Sequence, residues 1–335
     1  MKLSDFDYNL PTELIAQYPA EKREDARMMV VDRSTNSITH RKFIDIVSYC
    51  RENDALVLNN TRVYPARLFG QVIGGRDVEL LLHKKTSEFT YECLGRPGRA
   101  LKLGDALLFQ DGLNGEVIED RDECKLVRFF ADGNIDNMID KLGHVPLPPY
   151  IKRPAEEIDQ ERYQTVFARE RGSAAAPTAG LHFTKAILDK MRAKGTGINF
   201  ITLDINYATF RPIKEDDIRD HRMYRENYLM PETTVINLRR AKSKGGKIIA
   251  VGTTAVRALE SSPFKANQGT TDLFIHPGYE FQAVDAMITN FHFPCSTLLL
   301  LVSAFMGEKL WRRSYEEAIK EKYRFYSYGD CMLIL

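Results

Sequence analysis

The chain has 335 residues, enough for about two domains, and its 44% hydrophobic and 28% charged content excludes intrinsic disorder. Lys and Arg total 47 against 46 Asp and Glu, so a formal net charge of +1 leaves any polyanion to be met by local patches. Five cysteines (Cys50, Cys93, Cys124, Cys295, Cys331) are scattered and odd in number, which argues against a disulfide framework and against a zinc site, and fits a reducing, cytoplasmic setting.

In chain order, MKLSDFDYNL carries acidic residues and no apolar stretch, so no signal peptide is expected. ALVLNN (55–60) reads as a strand. Between about residues 62 and 149 come six short apolar or alternating runs: ARLFGQVI, DVELLLHKK, FTYECLG, DALLF, GEVIED and CKLVRFF. Gly74-Gly75, Pro97-Gly98, Asp111-Gly112 and Asp132-Gly133 punctuate them, which predicts a small six-stranded all-β unit, barrel or sandwich. PLPPY (146–150) closes the unit as a stiff linker.

Beyond it the period changes. Helices are expected over 184–194, 232–244, 253–260, 296–306 and 308–322, with strands NFITL (199–203), KIIAV (247–251), DLFI (272–275) and AMITNF (286–291) among them. Alternating strands and helices predict an α/β layer domain made of residues 1–61 and 150–335, with the all-β unit 62–149 inserted in a loop. LLLLVSAFM (298–306) has about half the roughly 20 residues a membrane span needs and is expected to be a buried helix, so no membrane partner is expected.

Four segments offer chemistry. GSAAAPTAGLHFT (172–184) is small and nearly uncharged and delivers His182 just before a helix, suited either to exposing backbone amides to a polar group or to tight packing. KIIAVGTTAVRALES (247–261) places Gly252, Thr253 and Thr254 at the carboxyl end of a strand, where open α/β sheets bind ligands, although the same turn serves as a helix cap. Arg257 and Glu260, one turn on, are spaced to pair on the helix surface. MITNFHFPCST (287–297) puts Asn290 and His292 where a strand leaves the sheet; a histidine between phenylalanines suits a shifted pKa and stacking on a flat base, or is a packed core residue. LDINYATFRPI (203–213) and DHRMYRENY (220–228) bring Asp204, Arg211, His221, Tyr224 and Glu226 onto loop-rich ground, suited to acid–base work or to a solvated loop. Lys84-Lys85, Arg239-Arg240, Arg312-Arg313, Arg96, Arg99 and Lys102 either contact phosphates or form solvated faces.

Taken in order, FDYNLPTELIAQYPAEKREDARMMV, LNNTRVYPARLFG, GHVPLPPYIKRP, RYQTVFARERGSAAAPTAGLHFT, TFRPI, AVGTTAVRALES, HPGYEFQAVDAMITNFHFPCSTLLLLVSAF and YRFYSYGDCMLIL resemble, nearly end to end, the S-adenosylmethionine:tRNA ribosyltransferase-isomerase family of the queuosine pathway. The resemblance implies an α/β domain with an inserted β-barrel. It implies that S-adenosylmethionine is a consumed ribosyl donor, with no cofactor and no metal. The acceptor it implies is the aminomethyl arm of 7-aminomethyl-7-deazaguanine at the wobble position of tRNA. Adenine and methionine leave, and the sugar rearranges to give epoxyqueuosine; a monomer without an obligate protein partner is expected. His182 and His292 become the acid–base candidates, joined by Asp204, with Arg211, Gly252, Thr253, Thr254, Arg257, Asn290 and His221 as substrate-binding candidates.

The chain departs from the family pattern in one region. Where the family has T-L-H-V-G-x-G-T-F-x-P and H-x-M-H-x-E, this chain reads TLDINYATFRP and HRMYRE. Asp204 stands at a histidine, Tyr207 and Ala208 at small residues, and Tyr224 at the second histidine. A second reading therefore keeps the donor chemistry on another acceptor, a free deazapurine or a different RNA, and a third is a catalytically silent RNA-binding relative. Intact GLHFT and NFHFP strings favour the enzymatic readings.

Overall fold

In a computed structural model, which describes residues 1–96, 101–121, 124–205, 213 and 215–335, the chain forms seventeen described strands. The first four are β1 (Arg27–Asp32), β2 (Ser37–Lys42), β3 (Ala55–Asn59) and β4 (Thr61–Val63). Six follow as β5 (Arg67–Val72), β6 (Arg76–Lys85), β7 (Thr90–Arg96), β8 (Ala106–Leu108), β9 (Asn114–Asp120) and β10 (Lys125–Phe130). The rest are β11 (Glu170–Ser173), β12 (Gly197–Leu203), β13 (Glu226–Met230), β14 (Ile248–Val251), β15 (Asn267–Thr271), β16 (Ala286–Asn290) and β17 (Cys331–Ile334). Helices are α1 (Ile46–Tyr49), α2 (Ile135–Leu142), α3 (Glu157–Arg162), α4 (Lys185–Ala193), α5 (Glu232–Ser243), α6 (Thr253–Ser261), α7 (Thr297–Met306) and α8 (Glu308–Lys320).

The α/β class with a six-stranded barrel expected from the sequence is what forms. Strands β5 to β10, the six runs read from the sequence, close into an antiparallel barrel in the order β10-β7-β6-β5-β8-β9. Gly74 and Gly75, at φ +110° and +97°, make the β5–β6 turn that a side chain would resist. Leu80, Leu82, Tyr91, Cys93, Val117 and Val127 alternate inward to fill it.

The other sheet has nine strands in the order β15-β13-β12-β3-β14-β16-β17-β1-β2. Its centre is parallel: β12, β3, β14 and β16 run together, so their carboxyl ends share one edge. β3, β14 and β16 are buried along their whole length because both faces are covered. Alternation divides them between two cores. Val57, Ile201, Ala250 and Met287 face one packed by α5, α6, α7 and α8, while Leu58, Phe200, Val251 and Ile288 face one packed by α4.

Several ends are fixed as the sequence indicates. Thr184 Oγ1 accepts from Ile187 N at 3.3 Å to start α4, and Ser296 Oγ accepts from Leu299 N at 3.2 Å to start α7. The apolar run 298–306 lies in α7, and among the described residues no helix is long and apolar enough to cross a membrane.

One expected strand does not form. DLFI (272–275) leaves the sheet, and the polar NQGTT segment of β15 pairs with β13 instead. The cause is local: Leu273 N donates to Thr271 Oγ1 at 3.1 Å and its carbonyl accepts from Arg257 Nε at 3.1 Å, so its backbone groups are satisfied outside the ladder.

The chain enters the barrel through β4 and returns through β11, which pairs with β4 in parallel. At this neck a Cβ on Gly172 would collide with the Asp204 carboxylate, so a larger residue would force that side chain to move. Gly172→Ala is expected to cost about 1–3 kcal/mol, the usual range for overpacking. Urea denaturation of Gly172→Ala combined with Asp204→Ala checks the cause: the double variant regains most of the loss, whereas additive losses would place the clash elsewhere.

Candidate active site

A cavity of about 470 Å³ opens at the carboxyl edge of the four parallel strands. Its wall takes Ile205 from the end of β12, Gly252, Thr253 and Thr254 from the start of α6, and Thr289, Asn290 and His292 from the end of β16. The small segment 175–179, Tyr150, and Tyr326 with Ser327 complete it. The size is in the range of about 300–1,000 Å³ typical of small-molecule sites.

Asn59, at the tip of β3, ties these pieces together. Its Nδ2 donates to the Leu203 carbonyl at 2.9 Å and to Thr254 Oγ1 at 3.3 Å, and its Oδ1 accepts from Leu203 N at 3.0 Å and Thr61 N at 3.1 Å. Gly252 takes φ +87° to turn β14 into α6 while its N–H reaches the Ile288 carbonyl at 2.7 Å. The first amides of α6 thereby face the cavity with the positive end of the helix dipole.

His292 lines the cavity and is 7% exposed. Its Nε2 is 2.8 Å from Thr289 Oγ1. Both of its backbone groups are held as well: Tyr315 Oη accepts from His292 N at 3.1 Å, and the Tyr8 hydroxyl donates to the His292 carbonyl. Burial pushes the imidazole pKa down to about 3, so it is neutral at neutral pH.

His182 is buried one layer behind. It lines a separate small cleft, and Asn290 Nδ2 approaches its Nε2 at 3.3 Å. Since an amide nitrogen only donates, His182 Nε2 accepts and its proton resides on Nδ1. Asn290 Oδ1 accepts from Thr178 Oγ1 at 2.8 Å, which completes a Thr178–Asn290–His182 chain across the cavity wall. Burial, then the charges of Arg324 and Arg23, push His182 down to about 3.

The remaining candidates fall elsewhere. Asp204 does not line the cavity; Thr61 Oγ1 lies 3.5 Å from its Oδ1, and burial pushes its pKa up against hydrogen bonds from Asn227 and Thr61 that lower it. Arg257 does not pair with Glu260 on the helix surface. It is 4% exposed and pairs with Glu226 of β13, while Glu260 accepts from the backbone N–H groups of Gln282, Ala283 and Val284. His221 lies outside the lining, with Nδ1 2.8 Å from Glu215 Oε2. Arg211, Tyr207, Ala208 and Arg99 lie outside the described residues, as does the side chain of Arg96.

The structure adds an aromatic wall that sequence reasoning passed over. Tyr150, assigned to a linker, stacks on Tyr326 with centroids 4.7 Å apart, and Phe293 packs against Tyr326. The signal was present as aromatic residues in PLPPY and YRFYSYGD, but a linker and a chain-terminal segment carry no periodicity to mark them. Ser327 was missed for the same reason, whereas Thr178 and Thr289 lie in segments that were singled out for their histidines and asparagine.

Comparison with known proteins is consistent along the chain. The family described as "Queuosine biosynthesis protein" matches residues 3–334. Proteins named S-adenosylmethionine:tRNA ribosyltransferase-isomerase from Halothermothrix orenii and Clostridioides difficile are 48% and 47% identical to it, with the whole of both chains covered in each case. A crystal structure of S-adenosylmethionine tRNA ribosyltransferase from Thermotoga maritima is 37% identical with a TM-score of 0.57, covering 99% of this chain and 100% of that one.

Two outcomes follow from the buried charges. Arg257→Met leaves the Glu226 carboxylate buried without its guanidinium and is expected to cost about 3–5 kcal/mol in chemical denaturation, with Glu226→Gln in the same chain recovering much of it. The two histidines titrate near 6.5 when unfolded and near 3 when folded, so between those values the unfolded chain binds more protons and stability falls as pH falls. His292→Asn should therefore flatten the slope of unfolding free energy between pH 6 and pH 4 by about 1.4 kcal/mol per pH unit.

Proposed function

The chain belongs to the queuosine biosynthesis protein family, and from that premise we propose that it transfers and isomerises the ribosyl group of S-adenosylmethionine onto the aminomethyl group of 7-aminomethyl-7-deazaguanine at the tRNA wobble position. Adenine and methionine leave and epoxyqueuosine remains in the tRNA. S-adenosylmethionine is consumed, so no separate cofactor enters. The observation that carries this reading is a cavity that joins an aromatic wall to a buried, neutral imidazole and a helix start.

Each part answers a chemical need. The flat adenine and deazaguanine rings suit the Tyr150–Tyr326–Phe293 wall. A sulfonium acidifies the adjoining ribose C–H, and a neutral His292 can accept that proton, while an imidazolium could not. Once protonated in a buried site, the same group is a strong acid for the departing adenine. His182 stands behind the cavity wall and accepts from Asn290, so its role is to orient that amide. Gly252, Thr253 and Thr254 offer backbone amides and hydroxyls to a polar or anionic part of the donor. Arg211 is kept as an acceptor-binding residue on the TFRPI string, and Asp204, His221 and Arg257 shape the surroundings.

The test is incubation with S-adenosylmethionine and tRNA bearing the aminomethyl base, followed by nucleoside mass analysis. Epoxyqueuosine with equal adenine and methionine is expected, and S-adenosylhomocysteine as the main product would overturn the reading. His292→Ala should lower the single-turnover rate of the folded fraction by about 10²- to 10⁴-fold. A variant that melts earlier yet turns over at the normal rate would assign His292 to the core alone.

A further inference from the structure

The basic pairs visible in the sequence do not gather at the cavity. Lys85 is tied to Asp136 at 2.6 Å and Arg312 lies 3.9 Å from Glu308, while Arg239 and Arg313 donate to the carbonyls of Phe264 and Asn36. Arginines do gather beneath His182, from segments far apart in the chain. Arg23 donates through Nη1 to the Leu181 carbonyl at 2.9 Å and through Nη2 to the Glu161 carbonyl at 2.8 Å. Arg162 donates through Nη1 to the Glu21 carbonyl at 3.0 Å and through Nη2 to the Ala20 carbonyl. Both line a cleft of about 20 Å³, room for one water-sized atom, together with His182 and Ser327. Ser327 also lines the main cavity, so the cleft and the cavity share a wall.

This corner is short of negative charge. Among the described residues neither Arg23 nor Arg162 has a carboxylate within 4.0 Å, because all the acceptors they hold are backbone carbonyls. Arg162 Nε is buried and has no hydrogen-bond partner. Arg324 also reaches this corner, donating to the Tyr18 carbonyl at 3.3 Å, but it lies 3.6 Å from Asp330 and is compensated. Burial and the neighbouring Arg162 both disfavour the charged form of Arg23, and Glu161 and Glu24 offset this only at longer range. Each Nη holds one carbonyl and keeps a second hydrogen, enough to bind one oxygen of an anion that enters the cleft while the rest of the group stays outside, and a backbone phosphate offers such an oxygen.

We propose that Arg23 and Arg162 form a phosphodiester site that grips the RNA backbone beside the nucleotide whose base enters the main cavity. The inference rests on the reading of the acceptor as tRNA and adds where the strand is held. A base taken out of its stack needs its backbone fixed next to the pocket, and the shared Ser327 wall puts the two sites next to each other.

The test pairs substitutions in the protein with neutral linkages in the RNA. Anticodon stem-loops carrying a single methylphosphonate on either side of the wobble nucleotide are titrated against the unaltered enzyme and against Arg23→Gln and Arg162→Gln. One flanking linkage is expected to lower the affinity of the unaltered enzyme about tenfold, each substitution to do the same, and the combination to lose little more than either alone. The slope of log affinity against log salt should fall by about 0.7 for each lost contact. Losses that multiply would overturn the site, and so would weakened S-adenosylmethionine binding with RNA affinity intact, which would give the arginines to the donor carboxylate. Should a substitution prevent folding, the linkage scan on the unaltered enzyme still decides, since no sensitive flanking linkage means no such site. Absence of any stem-loop binding at low salt overturns the tRNA reading itself, and this site with it.

Discussion

One buried amide holds the cavity in shape. Asn59, 1% exposed, sits where β3 ends and has to satisfy backbone that no longer belongs to the ladder. It does so by bonding both backbone groups of Leu203, the N–H of Thr61 and the hydroxyl of Thr254. Three departures from the sheet are thereby fixed relative to one another: β12 toward Ile205, β3 toward the barrel, and β14 into α6. An apolar side chain of the same size would leave four buried polar partners unpaired, so the geometry of the cavity edge and the satisfaction of its backbone are the same constraint.

His292, the acid–base group we propose, is built on the same economy of buried bonds. His292 follows β16 by two residues, at a point where regular pairing has stopped, and two tyrosines replace the lost ladder by bonding its peptide from both sides. Tyr8 comes from the N-terminal segment and Tyr315 from α8, so the imidazole is placed by parts of the chain distant from one another in sequence. With its backbone groups fixed and Thr289 on Nε2, the ring has little freedom left, which is what the proposed proton transfer would require of it. Burial keeps it neutral and so open to a proton, and the same burial makes it a weaker base than an exposed imidazole.

What could be read from the sequence was whatever repeats along it. The barrel strands alternate and are bounded by glycine turns, and α4, α5, α7 and α8 carry helical periods, α4 and α7 with side-chain caps, so their positions followed from local chemistry. Gly252, Thr253, Thr254, Asn290 and His292 were found because they stand at strand ends, and the structure brings all five into one cavity wall. The polar β15 could not be foreseen, since its place in the sheet depends on β13 beside it, and DLFI misled because its apolar residues pack without pairing. Arg257 misled for a related reason. Spacing along a helix can suggest Glu260, but only the folded sheet brings Glu226 to the guanidinium. Arg23 and Arg162 lie 139 positions apart and meet only when the N-terminal segment packs beside α3.

The barrel is joined to the cavity by more than a tether. β4 begins two residues after Asn59, and β11 ends one residue before the alanines that run into the cavity wall. Across this neck Thr61 Oγ1 and Ser173 Oγ are 2.7 Å apart, and Ser173 Oγ accepts from Ile205 N at 2.7 Å. Ile205 itself lines the cavity, so one short chain of buried hydrogen bonds runs from the root of the barrel to the wall of the site. Asp204 occupies the space above Gly172 in the same neck, with Thr61 at its carboxylate. Asp204, one of the positions read from the sequence as departing from the family pattern, is therefore at a joint between barrel and sheet, one residue from the cavity wall. A substitution there reaches the site through Ile205, without itself having to touch a substrate.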